Sequence, residues 1–271
     1  MWILKFLPKN QLSYWVGKLA CVSLPRFCRK FLLGAFAKAY RINLEEAEKN
    51  IEEYSSFDSF FTRRLKAGLR PIDSVSPIVH PADSAISSFG PLQQGQLIQA
   101  KGRMYSAEDF LKIPQLLDSD YFITYYLCPT DYHRVHSPVD GRLRQVRWVP
   151  GQLWPVNQWS VENIDQLFAV NERVVCEIET AQGLVYVVLV GATNVGKITL
   201  SFDPCIVTND LKQKDVFEKA YDLPIQKGQE LGMFHLGSTV IVVYPKAFQM
   251  KDKKIQSGPV KLGQSVQSRS T

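Results

Sequence analysis

Residues 174–190 read V-V-C-E-I-E-T-A-Q-G-L-V-Y-V-V-L-V, two short runs of β-branched and aromatic residues broken by a glycine. Runs of this length and composition predict strands at 174–180 and 184–190. The same grammar extends in both directions. Residues 95–100, 122–128, 142–149, 197–202 and 238–244 are equally short, rich in Val, Ile and Tyr, and bounded by Gly, Pro or Asp. One short helix interrupts them, starting at Ser106 with Asp109 placed to complete a capping box. Before Arg70 the pattern is helical: the acid-rich L-E-E-A-E-K-N-I-E-E-Y (44–54) predicts one helix, and S-F-D-S-F-F-T-R-R-L (56–65) continues as another. The expected class is α+β, N-terminal helices followed by a mostly antiparallel β body. The expected organisation is a helical segment over 1–55 and a β-rich domain over 56–271, with a loose polar tail after Gln256.

The 271 residues, 45% hydrophobic and 21% charged, are enough to bury a sizeable core, which excludes disorder as the main state. The net charge of +6 is unevenly placed. Residues 1–44 hold Lys5, Lys9, Lys18, Arg26, Arg29, Lys30, Lys38 and Arg41 and no acid, so this segment carries +8 and the remainder nets −2. A basic patch confined to one end speaks against a nucleic-acid-binding body. Five cysteines, an odd number with no C-x-x-C pair, predict buried free thiols in a reducing compartment and neither zinc nor a disulfide framework. Lys5 and Pro8 interrupt the apolar start, which does not read as a secretory signal. Uncharged runs in the basic segment reach at most eight residues, against the ~20 that a spanning helix needs.

Within that segment Leu12, Trp15, Val16, Leu19 and Val22 recur at three and four, as do Phe27, Phe31, Leu32, Ala35 and Phe36. Two amphipathic helices joined at Pro25 are predicted. Aromatic stripes flanked by lysine and arginine suit a helix lying on an anionic bilayer. The competing reading is two core helices with basic side chains in water.

Several motifs bear on chemistry. G-A-T-N-V-G-K (191–197) has phosphate-loop spacing, but Ile198 stands where magnesium needs a hydroxyl and a strand follows where a helix is required, so tight glycine turns explain it better. His133 and His136 share the polar loop D-Y-H-R-V-H-S-P, with no further ligand at metal spacing, so acid–base work is the sharper reading beside a structural one. Asp83 lies in a turn, and Gly237–Ser238 precede the apolar V-I-V-V-Y. Ser, His and Asp can form a nucleophile, base and orienting group wherever a fold joins them.

Seven segments in order carry a resemblance: S-F-D-S-F-F-T-R-R-L-K-A-G-L-R-P-I-D (56–73), P-A-D (81–83), I-Q-A-K-G-R-M-Y-S (98–106), D-Y-H-R-V-H-S-P (131–138), F-A-V-N-E-R-V (168–174), V-G-A-T-N-V-G (190–196) and K-G-Q-E-L-G-M-F-H-L-G-S-T (227–239). Together they resemble the short bacterial phosphatidylserine decarboxylases, which are pyruvoyl-dependent. The departure is Ser84, where that family usually has glycine. The resemblance implies self-cleavage between Gly237 and Ser238, conversion of Ser238 into a pyruvoyl group, His136 as the base, Asp83 as its orienting carboxylate, and His133 as proton donor to the substrate's α carbon. It also implies phosphatidylserine as substrate, phosphatidylethanolamine and carbon dioxide as products, two cleaved chains that stay associated, and peripheral attachment to the cytoplasmic face of the cell membrane. Assembly as a homodimer is compatible with it. Two alternatives are a catalytically silent membrane-binding module of the same fold and a serine hydrolase using Asp83, His136 and Ser238.

Overall fold

The two N-terminal stripes fold as helices α1 (Lys9–Ala20) and α2 (Arg26–Ala39), with Pro25 capping the second as expected. The computed structural model describes residues 8–100, 103–114, 119–193, 197–235, 238–250 and 255–267, with the backbone alone at 100, 119, 120 and 238. Residues 44–54 do not form the predicted helix. Two separate 3₁₀ turns, Leu44–Glu46 and Ile51–Glu53, take its place, because asparagines start each one: the Asn43 side chain accepts from the Glu45 N–H, and Glu53 accepts from the Asn50 N–H. Helix α3 (Phe57–Phe61) then starts at Ser56, whose hydroxyl accepts from the Ser59 N–H at 3.1 Å.

The body comprises β1 (Ser84–Pro91), β2 (Gln96–Ala100), β3 (Arg103–Ser106), α4 (Ala107–Leu111), β4 (Ser119–Leu127), β5 (Arg134–His136), β6 (Gly141–Val149), α5 (Gln158–Asn163), α6 (Leu167–Val170), β7 (Arg173–Thr180), β8 (Gly183–Val190), β9 (Ile198–Leu200), β10 (Phe217–Ile225), β11 (Glu230–Phe234), β12 (Ser238–Pro245) and β13 (Gly258–Val260). Eight strands form one antiparallel sheet in the order β10-β6-β7-β8-β12-β4-β1-β13. The strands of 174–190 lie near its middle, where side chains of both faces are covered. Val174, Cys176, Ile178, Val240 and Val242 join one core, and Val175, Val188, Ile241 and Val243 join the other. A three-stranded sheet, β5-β11-β9, covers the first face through Val135, Leu231 and Phe234. The hairpin β2–β3 and helices α4 and α6 cover the second. This two-sided burial explains why β8 and β12 carry continuous apolar runs rather than alternating ones.

Two further expectations are corrected. The tail after Gln256 is not loose: β13 pairs with β1, and the buried Leu262 and Val266 dock it against the body. Of the five free cysteines only Cys176 is buried, while Cys21 and Cys205 are exposed. Strand β10 was not legible in the sequence because it is an edge whose charged residues face water.

The helices leave most of their apolar stripes outward, as the bilayer reading expects and the core-helix reading does not. In α1 the buried residues are Lys9, Ser13 and Ala20, and in α2 Leu33 and Ala37. Trp15 is 67% exposed, Leu19 71%, Phe27 90% and Phe31 76%. Core packing therefore does not account for these four residues, although Phe36 of the second stripe packs on Phe57 and Phe60. No helix among the described residues is long and apolar enough to cross a membrane.

Candidate active site

Strand β12 begins at Ser238, whose backbone pairs with Leu127 at the end of β4. On its other side Thr239 pairs with Val190, so the chain leaves β8 at Gly191 alongside the start of β12. Gly237 and the stretch 194–196 lie outside the described residues, as does the side chain of Ser238. The F-A-V-N-E-R-V segment supports this junction. Buried Asn171 donates to the carbonyls of Gly191 and Trp154 and accepts from the Trp154 N–H. Buried Arg173 donates to the carbonyls of Asp109, Phe110, Ala169 and Asn171.

Beyond β4 a tight turn delivers the histidine loop. The Asp131 N–H donates to the Cys128 carbonyl, and the Cys128 N–H donates to Asp131 Oδ2 at 2.8 Å. The Phe234 N–H then donates to the His133 carbonyl, which sets this histidine beside the strand that leads to Ser238. The His133 ring is fully buried and packs on Phe61 with centroids 4.0 Å apart. Its Nδ1 is 2.8 Å from the Asp131 carbonyl, an acceptor only, so Nδ1 carries the proton and Nε2 presents a lone pair. That Nε2 is buried with no hydrogen-bond partner among the described residues. Burial lowers the His133 pKa to about 3, which keeps the ring neutral at pH 7.

His136 sits three residues on, at the end of β5. Its Nδ1 donates to the Gly228 carbonyl at 2.8 Å, and its Nε2 lies 3.3 Å from the Tyr132 hydroxyl. Burial lowers its pKa as well. Gly228 holds this position with φ of +82°, and a Cβ there would meet Ile72 Cδ1 at 2.6 Å.

Asp83 is 2% exposed and its carboxylate is densely bonded. Arg70 donates to both oxygens, Lys261 Nζ lies 3.2 Å from Oδ2, and the Leu262 N–H donates to Oδ1 at 3.0 Å. Desolvation pushes its pKa up, but these bonds outweigh it and hold the carboxyl below its ordinary range. No hydrogen bond joins Asp83 to His136 among the described residues. The two are neighbours through Pro81, whose carbonyl accepts from the His136 N–H, and the Asp83 charge acts on the ring at longer range. A cavity of about 220 Å³ brings Asp83 together with Asp131, Tyr132, Arg63 and Lys261. Arg70, Tyr132 and Lys261 join the site only in the structure. Arg70 and Tyr132 lie inside the quoted motifs 56–73 and 131–138, but nothing local pairs Arg70 with Asp83, and Lys261 lies outside every motif.

A family model described as phosphatidylserine decarboxylase matches residues 57–268. The chain is similar to the phosphatidylserine decarboxylase proenzyme of Myxococcus xanthus, 38% identical over 98% of this chain and 96% of that protein. It is also similar to the proteins of that name from Psychrobacter cryohalolentis, 42% identical over 98% of this chain and 97% of the relative, and Vibrio cholerae, 40% identical over 96% and 94%.

Proposed function

The chain belongs to the phosphatidylserine decarboxylase family and is a decarboxylase of phosphatidylserine, and from that premise we propose that it cuts itself at Gly237–Ser238 and works through a pyruvoyl group made from Ser238. The observation that carries this reading is the place of Ser238 as the first residue of a central buried strand, beside the turn that bears His133. Residues 238–271 would remain attached after the cut, because β12 is paired on both sides.

His136 is the base in this reading. Its Nε2 takes the Ser238 hydroxyl proton, the freed oxygen attacks the Gly237 carbonyl carbon, and the C–N bond breaks to leave an ester. A base then removes the Ser238 Cα proton as the Cβ–O bond breaks, which leaves a dehydroalanine at 238 and frees Gly237 as a carboxylate chain end. Water replaces the nitrogen, which leaves as ammonia. The Gly228 carbonyl and Tyr132 fix the His136 ring, and Asp83 favours its protonated form through its charge.

The surroundings fit a carbonyl group at position 238: a strand that fixes the backbone and a buried, neutral imidazole on the adjoining turn. When present, the pyruvoyl group supplies the electron sink for the departure of carbon dioxide. His133 is the residue for proton delivery to the α carbon. With Nδ1–H held on the Asp131 carbonyl, its Nε2 must first take up a proton before giving one.

The outward stripes of α1 and α2 support peripheral attachment to an anionic membrane surface. Apolar burial and eight basic residues act together there. Free thiols at the surface fit the cytoplasmic face.

Intact-mass measurement combined with product formation from phosphatidylserine vesicles tests the whole reading. Two fragments are expected whose masses sum to the chain plus about 1 Da, the smaller one roughly 4 kDa of the 30.8 kDa total. A chain that decarboxylates while staying whole would refute the mechanism, and a whole chain without decarboxylation would favour the serine hydrolase or the silent module.

A further inference from the structure

A second histidine-centred chain of hydrogen bonds lies just upstream of the expected break. His235 Nδ1 is 2.6 Å from Asp58 Oδ1, and its Nε2 is 2.9 Å from Thr199 Oγ1. Asp58 comes from α3, Thr199 from β9, and His235 follows β11, so three elements remote in sequence meet on one ring. The ring is buried, and the His235 N–H donates to the Lys197 carbonyl at 3.0 Å. Burial pushes the Asp58 carboxyl up, but the His235 bond, the Lys197 charge and the Cys21 thiol outweigh it and hold it below its ordinary range. Asp58 is therefore ionised and acts as an acceptor, which makes Nδ1 the donor.

In the chain His235 stands two residues before Gly237. Its bonds fix His235 three residues before Ser238, and the pairing with Leu127 fixes the backbone of Ser238 itself. Attack by a hydroxyl on a carbonyl needs the reacting atoms about 3–3.5 Å apart, and a shift of about 1 Å can cost on the order of a hundredfold in rate. A charge-assisted bond to the histidine nearest the break is suited to holding that distance.

We propose that Asp58, His235 and Thr199 form a positioning clamp for self-cleavage, which fixes the upstream arm of the chain against Ser238. The clamp rests on the self-cleavage reading above. His235 acts by holding the backbone and transfers no proton to the reacting atoms.

The test follows conversion of the full-length chain into two fragments after cell-free synthesis, by denaturing electrophoresis over time. The chains compared are wild type, Asp58→Asn, His235→Leu, His235→Asn and the double variant Asp58→Asn/His235→Leu. Melting temperatures are read on the same substitutions in a Ser238→Ala background. His235→Leu is expected to slow cleavage roughly tenfold or more. The double variant should be no slower than His235→Leu, because the Asp58–His235 bond is already absent in the single variant. His235→Asn, whose side-chain N–H can still reach Asp58, should recover most of the rate. Equal rates in all chains overturn the clamp, as do additive losses or a slowing that follows the melting temperature alone. A wild-type chain that stays whole overturns the self-cleavage reading and the clamp with it, whereas a wild type that cuts beside variants that cut equally fast overturns only the clamp.

Discussion

In β12 every side chain from Thr239 to Tyr244 is buried, whereas in α1 and α2 Trp15, Leu19, Phe27 and Phe31 face outward while Ser13, Ala20 and Ala37 are buried. Both regions are rich in apolar residues, yet only one spends them on its own core. The sheet is covered on both faces by other parts of the chain, so each apolar side chain of β12 has neighbours. The helices are held by a few anchors instead. The Asn10 side chain donates to the Gly151 carbonyl, Lys9 lies over the Trp154 ring, and Leu33 packs with Tyr54 and Phe60. An apolar stripe with no intramolecular cover is available to another apolar phase, and flanking positive charge selects an anionic one.

This contrast can be broken in four ways, in falling order of effect. Ser238→Ala removes the proposed nucleophile without touching either core, so it should abolish both fragment formation and decarboxylation while the chain stays folded. Mass spectrometry and far-UV circular dichroism on one preparation check this.

Replacing Trp15, Leu19, Phe27 and Phe31 together by serine should cost vesicle binding on the order of 4 kcal/mol, about a thousandfold in partition, with little change in melting temperature. Flotation with anionic vesicles reads the first quantity. Equal flotation of this variant and wild type would mean that the stripes do not hold the membrane.

Ile241→Ala should do the reverse, costing about 2–5 kcal/mol of folding stability through a cavity in the sheet core. Urea unfolding in the Ser238→Ala background measures it, and membrane binding of the folded fraction should be unchanged.

The smallest effect concerns pH. Burial lowers the His80 pKa to about 4, so the unfolded chain binds a proton there that the folded chain refuses between about pH 6.5 and 4. Stability from this group is present above pH 6.5 and is lost as pH falls through that window. His80→Gln should flatten the fall by at most about 3 kcal/mol. Glu172 works in the opposite direction, because burial raises its carboxyl to about 7, and it sheds stability as pH rises toward that value. Unfolding curves at several pH values should show both slopes.

Local regularities were what the sequence by itself determined. The strands at 174–190, the turn at 81–83 before β1, the two helical stripes and the confinement of basic residues to one end all depend on neighbours a few positions apart. The residue types of the site, Asp83, His133, His136 and Ser238, were legible because they sit in short motifs. Tertiary structure decided the rest. It split residues 44–54 into two capped turns and held the polar tail in place through Leu262 and Val266. Arg70 and Lys261 became the partners of Asp83, the carbonyl of Gly228 came to His136, and Asp58 was brought to a histidine 177 residues away. Periodicity records which side of an element is apolar, but whether that side is covered, and which charge meets which, depends on segments that return from far along the chain.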